Sequence, residues 1–317
     1  MTDCAAVGTF SILLVEPRTL STDPDPTFDS NSERYPFLYE TIKAKRPVRP
    51  SRMIYGTRSR WASRAVKRSY IPRGAIGLQP GPAELDAWLP RILGTPQSTN
   101  VFALSEAAPP LFDCMFLRGE NVFYARNCQV ASTVFHAKSS DGEDEDEILN
   151  MQLGIICREI DLSKSWPVSV PSVTTGEDYV PFIFSQGLCE YDSVEYPFNE
   201  FRLVIDNGLR PRTRNSLTPN CVYAGQRVIR MEIENPFTAD IWAEAQVMYE
   251  DGDGTPGQVR FETGSGPTDE AIQFEFPALR AHLEEGTTTS HEEIPLAISM
   301  EALRTSGSLE MIVTNVN

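Results

Sequence analysis

PAELDAW, residues 82–88, has a counterpart 154 positions later in PFTADIW, residues 236–242. Pro82, Asp86 and Trp88 fall on Pro236, Asp240 and Trp242. At the same offset Arg58 falls on Arg212, Arg60 on Arg214 and Arg73 on Arg227. Six identities in 31 ungapped positions are about three times what unrelated chains of ordinary composition give. The match implies a tandem pair of similar units, and two copies on one chain can fill two equivalent places in a symmetric assembly.

Each window opens a helix. Pro80-Gly81-Pro82 interrupts the chain, and Pro82 suits a first helical position because its missing N–H would be unpaired there anyway. Leu85, Trp88, Leu89, Ile92 and Leu93 then share one face, with Gly94 as the stop and Pro90 expected to kink or shorten the helix. In the second copy Phe237, Ile241, Ala245 and Met248 follow Pro236 at helical spacing. Trp88, Leu89, Trp242 and Ile241 are the expected core residues of the two helices.

Outward from the helices the chain reads as strands: 121–124, 130–137, 148–156, 201–205, 228–233, 258–263, 272–276, 295–300 and 308–315. Alternation is clear at Leu296, Ile298 and Met300 and at Met231 and Ile233. The expectation is therefore a mainly β protein of two tandem units, each with one flanking helix. The boundaries read are 1–33 for an N-terminal strand and exposed arm, 34–170 for the first unit, 171–195 for a linker and 196–317 for the second.

The 317 residues are 41% hydrophobic, enough for real cores. No stretch approaches the roughly 20 apolar residues of a membrane helix. The apolar run at 10–15 is too short for a signal core and has no Lys or Arg before it, so a cytoplasm-like compartment is expected, with no membrane anchoring. The six cysteines make no CxxC pair and are expected to be reduced and mostly buried.

The net charge of −16 is unevenly placed. From Arg34 to Arg73 twelve basic residues face one acid, Glu40, whereas from Gly74 onward 37 acids face 15 basic residues. An acidic body repels phosphates instead of holding them. The basic segment suits either nucleic acid or an acidic surface of a neighbouring copy. Arg58, Arg60, Arg64, Lys67, Arg68, Arg212 and Arg214 are the candidate inter-subunit contacts.

No template for catalysis or cofactor binding is complete. Residues 251–262 place Asp and Glu as in a calcium loop, but Pro256 stands where the turn needs Gly. The same stretch lacks the Lys and Ser/Thr of a phosphate loop, and a plain turn is the better reading. The acids of 141–147 read as a solvated hairpin tip, His291-Glu292-Glu293 lacks a second histidine, and no nucleophile elbow is present. No enzyme, metal or cofactor is expected.

ETIKAKRPVRPSRMIYGTRSRWASRAVKRSYIPRGAIGLQPGPAELDAWLPRILG, residues 40–94, resembles the front part of the tail tube proteins of long-tailed bacteriophages: a basic arm with a Gly-x-Arg-x-Arg-like turn, a Gly-containing strand, then a helix ending at Gly94. FRLVIDNGLRPRTRNSLTP is similar to that family's mid-chain strand and turn, and EIPLAISMEALRTSGSLEMIVTNVN to its closing strands. The resemblance implies β-sandwich or barrel domains, whose rings join inner strands into one barrel and stack into a tube for DNA. Rings of this family usually hold six tube domains. Three two-unit chains would imitate a hexamer, and a true hexamer of single elaborated domains is the alternative. Expected partners are further copies, a terminator, a tape measure and baseplate components, with DNA passing an acidic lining unbound. The expected location is the virion tail, after synthesis in the host cytoplasm. Two rivals stand beside this one. The first is a tail terminator, baseplate ring or inner tube of a contractile injection device. The second is a nucleic-acid-binding module using 34–73.

Overall fold

A computed structural model describes residues 13–20, 22–29, 32–43, 48–50, 65–67, 69–94, 98–118, 121–139, 147–167, 180–214, 216–219, 221–250, 253–263, 270–283, 295–306 and 309–316. The protein is mainly β, with two helices among the described residues. The first part of the chain carries β1 (Leu13–Arg18), β2 (Glu33–Tyr35), β3 (Tyr39–Glu40), β4 (Val48–Pro50), β5 (Ala65–Lys67), β6 (Arg73–Leu78), α1 (Pro82–Leu93), β7 (Val101–Ala103), β8 (Leu111–Arg118), β9 (Asn121–Lys138), β10 (Asn150–Ile156) and β11 (Glu159–Asp161). The second carries β12 (Ile183–Tyr191), β13 (Val194–Glu195), β14 (Glu200–Asp206), β15 (Leu209–Arg212), β16 (Cys221–Ala224), β17 (Val228–Pro236), α2 (Ala239–Glu250), β18 (Thr255–Glu262), β19 (Ala271–Leu283), β20 (Pro295–Ala302) and β21 (Ile312–Val316).

All pairings are antiparallel, and those of the first part recur in the second. β6 pairs with β10, β10 with β9, β9 with β8 and β8 with β1. In the same order β17 pairs with β20, β20 with β19, β19 with β18 and β18 with β12. β2 lies on β1 as β13 lies on β12, and β3 on β6 as β14 on β17. The hairpins β4–β5 and β15–β16 leave at matching points, and β11 returns to β9 as β21 returns to β19. β7 has no counterpart among the described residues and pairs with β21. β12 and β13 lie within the stretch read as a linker. Gly187 and the polar residues around it break the apolar alternation that would have marked a strand there.

α1 runs from Pro82 through Pro90 to Leu93, so the internal proline does not end it. Glu84 accepts from the Gly81 N–H at 3.2 Å, and the Gly94 N–H closes the last turn on the Pro90 carbonyl at 3.0 Å. The buried stripe of α1 is Leu85, Leu89 and Ile92, and that of α2 is Ile241, Ala245 and Met248, at identical internal spacing. The helices therefore correspond at an offset of 156, not 154. Trp88 then matches Glu244, and Trp242 matches Asp86, so the shared tryptophans are not structural equivalents. Trp88 is fully buried between Tyr35 and Phe112, with ring centroids 5.3 and 5.8 Å away. Trp242 is partly buried at the margin of the core, against an exposed Phe237 that lies before the helix. Leu89 and Ile241 are buried.

One hydrophobic core runs through both parts of the chain. Phe135 of β9 meets Phe274 of β19 at 5.1 Å, and Phe201 of β14 meets Phe261 and Phe274 at 5.1 and 5.8 Å. Each fully buried ring contributes about 1.5–3 kcal/mol relative to exposure. No described helix is long and apolar enough to cross a membrane.

The N-terminal stretch is anchored from β1 onward. Leu13, Leu14 and Val15 are buried, and the Arg18 guanidinium reaches the fully buried Asp113 at 2.5 Å. Asp113 also accepts from Tyr124 Oη at 2.5 Å and from the Asn127 N–H at 2.6 Å, so the buried carboxylate is fully engaged. Farther along, Asp25 pairs with Arg126 and Lys164. Burial pushes the Asp25 carboxyl up, and hydrogen bonds and charge from Lys164 and Arg126 outweigh that and hold it below the ordinary value.

Two outcomes are expected. Trp88→Ala should cost about 3–5 kcal/mol of unfolding free energy and Trp242→Ala roughly 1 kcal/mol. Equal losses in denaturant titrations would refute the assigned helix equivalence. Because the folded pKa of Asp25 lies below its unfolded one, its contribution is present above pH 3.8 and is lost as pH falls through the folded value. The acid limb of stability against pH should therefore be shallower in Asp25→Asn than in the parent. Parallel limbs would show that the ion pairs contribute nothing.

Candidate assembly interface

The two parts of the chain meet where β9 pairs with β14, from Glu200 opposite Lys138 to Asp206 opposite Ser132. The Ser139 N–H donates to the Asn199 carbonyl at 2.8 Å and the Asn207 N–H to the Ala131 carbonyl at 2.9 Å, extending the ladder at both ends. Alternation along both strands is strict here. Phe201, Leu203 and Ile205 face the core beside Ala137, Phe135 and Thr133, while Arg202 and Val204 face outward beside His136 and Val134. The result is one continuous row of strands, β3–β6–β10–β9–β14–β17–β20–β19.

α1 is wedged under this junction, packing on β9, β7 and β21. Asn207 Nδ2 donates to the carbonyls of Ile92 and Val130, both at 3.1 Å. Asn315 Nδ2 donates to the Pro82 carbonyl at 2.8 Å and to Asp86 Oδ1 at 2.7 Å. Both amides come from the second part of the chain and hold a helix of the first. Eight residues of α1 are buried as a result, against three of α2.

The face of the row turned away from the core is polar and charge-balanced. It carries Arg73, Lys138, Arg202, Arg230 and Arg280 against Glu200, Asp206, Glu232, Glu234 and Glu301. Arg202 pairs with Glu232 at 2.7 Å, and Glu200 is approached by His136 at 3.1 Å and Lys138 at 3.7 Å. At the β6–β10 end this face includes Gly77 and Gly154. An added Cβ at Gly77 would strike the Tyr39 ring at 2.3 Å, so the glycine lets that ring lie across the sheet. Basic and acidic residues are thus equal in number on this face.

Of the basic candidates, Arg212 and Arg214 lie off this face. Arg58, Arg60, Arg64 and Arg68 fall outside the described residues, and Lys67 is the last residue of β5. Arg212 ends β15 opposite Cys221, and Arg214 follows in the turn with φ of 42° and donates to Tyr223 Oη. Arg212 and Arg214 are exposed, on a hairpin outside the junction. Glu262, the last position of the calcium-loop template, ends strand β18, and Thr255 to Glu262 are extended, so that segment is not a coordinating loop. Acids 141–146 and residues 284–294 are outside the described residues, while Glu147 lies just before β10.

Cys114, Cys128, Cys157 and Cys189 are buried and free, and Cys221 is half-buried. Burial pushes Cys189 up to about 12. Cys128 lies 3.1 Å from Cys157 and 3.9 Å from Cys114, and burial raises its thiol first, then its sulfur neighbours. Such thiols stay protonated and act as small apolar groups. Among the described residues no group of three or more His, Cys, Asp and Glu is placed to hold a metal ion.

Asn207 and Asn315 were missed from sequence. Asn207 precedes Gly208 and reads as half of a turn signal. Asn315 occupies an inward position of the Met311, Val313, Asn315 alternation, and a polar residue on an apolar face was the available clue. No protein-family model matches the chain, and no curated protein matches it.

Asn315→Leu removes two buried hydrogen bonds to α1 and should cost about 1–3 kcal/mol. Amide hydrogen exchange in α1 should rise with it. Unchanged protection of α1 would show that the amide does not hold the helix.

Proposed function

We propose that the chain is a structural ring protein of a virus tail: a tail tube protein of a long-tailed bacteriophage, built of two tandem tube units and located in the virion tail. The observation that supports this best is the β9–β14 junction. It joins two sets of strands with the same pairing order side by side, so that each set contributes a four-strand section to one sheet with a buried face and a polar face. Units that add edge to edge in this way build a closed barrel when the rotation between them closes. Closure also removes the sheet edges that would otherwise invite aggregation.

Three chains, each filling two places, would complete a ring that imitates sixfold symmetry, and further rings stack on it. The polar row of strands is the surface proposed for the lumen. Its basic and acidic residues balance in number, and Lys138 is paired with Glu200, so it offers DNA neither a strongly attractive field nor a strongly repulsive wall. Nonspecific binding draws on unpaired Lys and Arg that release counterions from phosphate, and Arg202 is engaged with Glu232.

Averaged electron-microscopy end views of the purified protein test this directly. Rings of three chains with pseudo-equivalent halves, stacking into tubes, are expected. Six identical chains per ring would discard the duplication. Single short rings without stacking would favour a terminator or baseplate ring. A monomer that binds duplex DNA in a salt-sensitive way would replace the tube with the nucleic-acid reading.

A further inference from the structure

The internal junction also shows what the two ends of the strand row lack. On one edge β9 is covered first by β8 and then, from Ser132 to Lys138, by β14. β19 is covered on the equivalent edge by β18, whose last pair is Thr255 with Leu279, and beyond that no described strand covers it. Ala281 and Leu283 therefore present backbone groups to an edge that no described strand covers, while their neighbours bond β20. At the far end of the row, the chain running on from β3 bonds β6 through the Thr41 and Lys43 N–H groups, at 2.9 and 3.2 Å. By strand alternation the backbone of Glu40 and Ile42 points the other way. β3 corresponds to β14, and β19 to β9, so each end lacks what the other end offers.

Side chains occupy the β3 edge. Glu40 Oε2 accepts from the Ile42 N–H at 3.0 Å, and Arg118 Nη2 donates to the Ile42 carbonyl at 2.5 Å. Arg118 is itself clamped on the Glu40 carboxylate, with Nη2 2.7 Å from Oε2. The pair stands where the groups of a neighbouring strand would stand. The corresponding inward residues of β14 are Phe201, Leu203 and Ile205, all apolar. An inward-pointing charge on an edge strand is a known protection against premature pairing.

Exposed apolar side chains mark the same two ends. α2 leaves Val247 and Tyr249 each 54% exposed, on the helix whose counterpart α1 is covered by the next unit. Leu38 beside β3 and Leu162 just after β11 are 54% and 60% exposed. β11 corresponds to β21, the strand that holds α1 through Asn315.

We propose that copies of this chain join head to tail, the 281–283 edge of β19 in one copy pairing antiparallel with the 40–42 edge of β3 in the next, displacing the Glu40–Arg118 plug and bringing the region around Leu162 over α2. This rests on the ring reading above and specifies its intermolecular contact.

Cysteine pairs across the predicted contact test it. Outward residues of this ladder are non-hydrogen-bonded pairs, whose Cα atoms stand about 4.5 Å apart, within disulfide range. Thr41→Cys combined with Arg280→Cys, or with His282→Cys in the neighbouring register, should give a reducible ladder of covalent multimers on oxidation. The three single variants control for Cys4 and Cys221 and should give no ladder beyond the parent. Rings in micrographs with no ladder from either pair would overturn this contact and leave the ring reading standing. A parent chain that forms no ring, together with no ladder, would overturn both. Arg118→Ala, with its fold checked by circular dichroism, should form multimers at a several-fold lower concentration than the parent, and an equal or higher threshold would refute the plug.

Discussion

The rest of the structure depends on the edge that β9 gives to β14. A strand has two bonding edges, and buried backbone groups left unpaired are costly. β9 is 18 residues long and cannot be covered on one edge by β8 alone. Its last residues are completed only by a strand from the other part of the chain. That requirement sets the two parts side by side, brings Phe135 and Phe201 against Phe274, and creates the cleft that α1 fills.

The helices record the same constraint. α1 and α2 bury stripes of identical spacing, so their sequences are equally able to pack on a sheet. Their burial differs because α1 is enclosed both by its own part of the chain, through Tyr35 and Phe112, and by Asn207 and Asn315 of the other, whereas no described strand of another unit lies over α2. Trp88 could evolve into a fully enclosed ring beside Tyr35 and Phe112, whereas Glu244 occupies the matching place on α2. There, burial first and then Asp192 raise its carboxyl above the ordinary value. A carboxylate is tolerated because that side of α2 remains accessible.

Much of this architecture was legible in the chain. Strand character located β10, β14, β17, β18 and β20 within a few residues, because each has one buried and one polar face, whereas only the first half of β19, 272–276, was read. β8 and β12 were not seen. In β8 the run Phe112 to Phe116 is buried on both faces, Asp113 included, so alternation is absent. β12 is interrupted by a glycine and a polar stretch. The offset of 154 located both helices but misaligned them by two positions, since Pro and Trp identities outweighed the Leu/Ile spacing that packing obeys. The junction itself left no local mark, because edge pairing between distant strands is written in no short window. Its polar supports, Asn207 and Asn315, resemble ordinary turn and strand residues until their partners are known.

Duplication within one chain changes the economics of edge pairing. The β9–β14 edge meets its partner at the high effective concentration set by covalent connection, so β14 needs no protection and can carry Phe201, Leu203 and Ile205 inward. The β3 edge must wait for another molecule, and during that wait an open strand is a template for wrong partners. Glu40 and Arg118 supply both missing backbone partners of Ile42 while they wait. Displacing them gives up a partly buried ion pair, with Arg118 37% and Glu40 9% exposed, so the incoming strand must return more than a surface pair is worth. A correct neighbour offers a continuous ladder and apolar cover for α2 in exchange, whereas a stray strand offers the ladder alone. On this argument selectivity comes from α2, whose exposed Val247 and Tyr249 are covered only when the partner arrives in register.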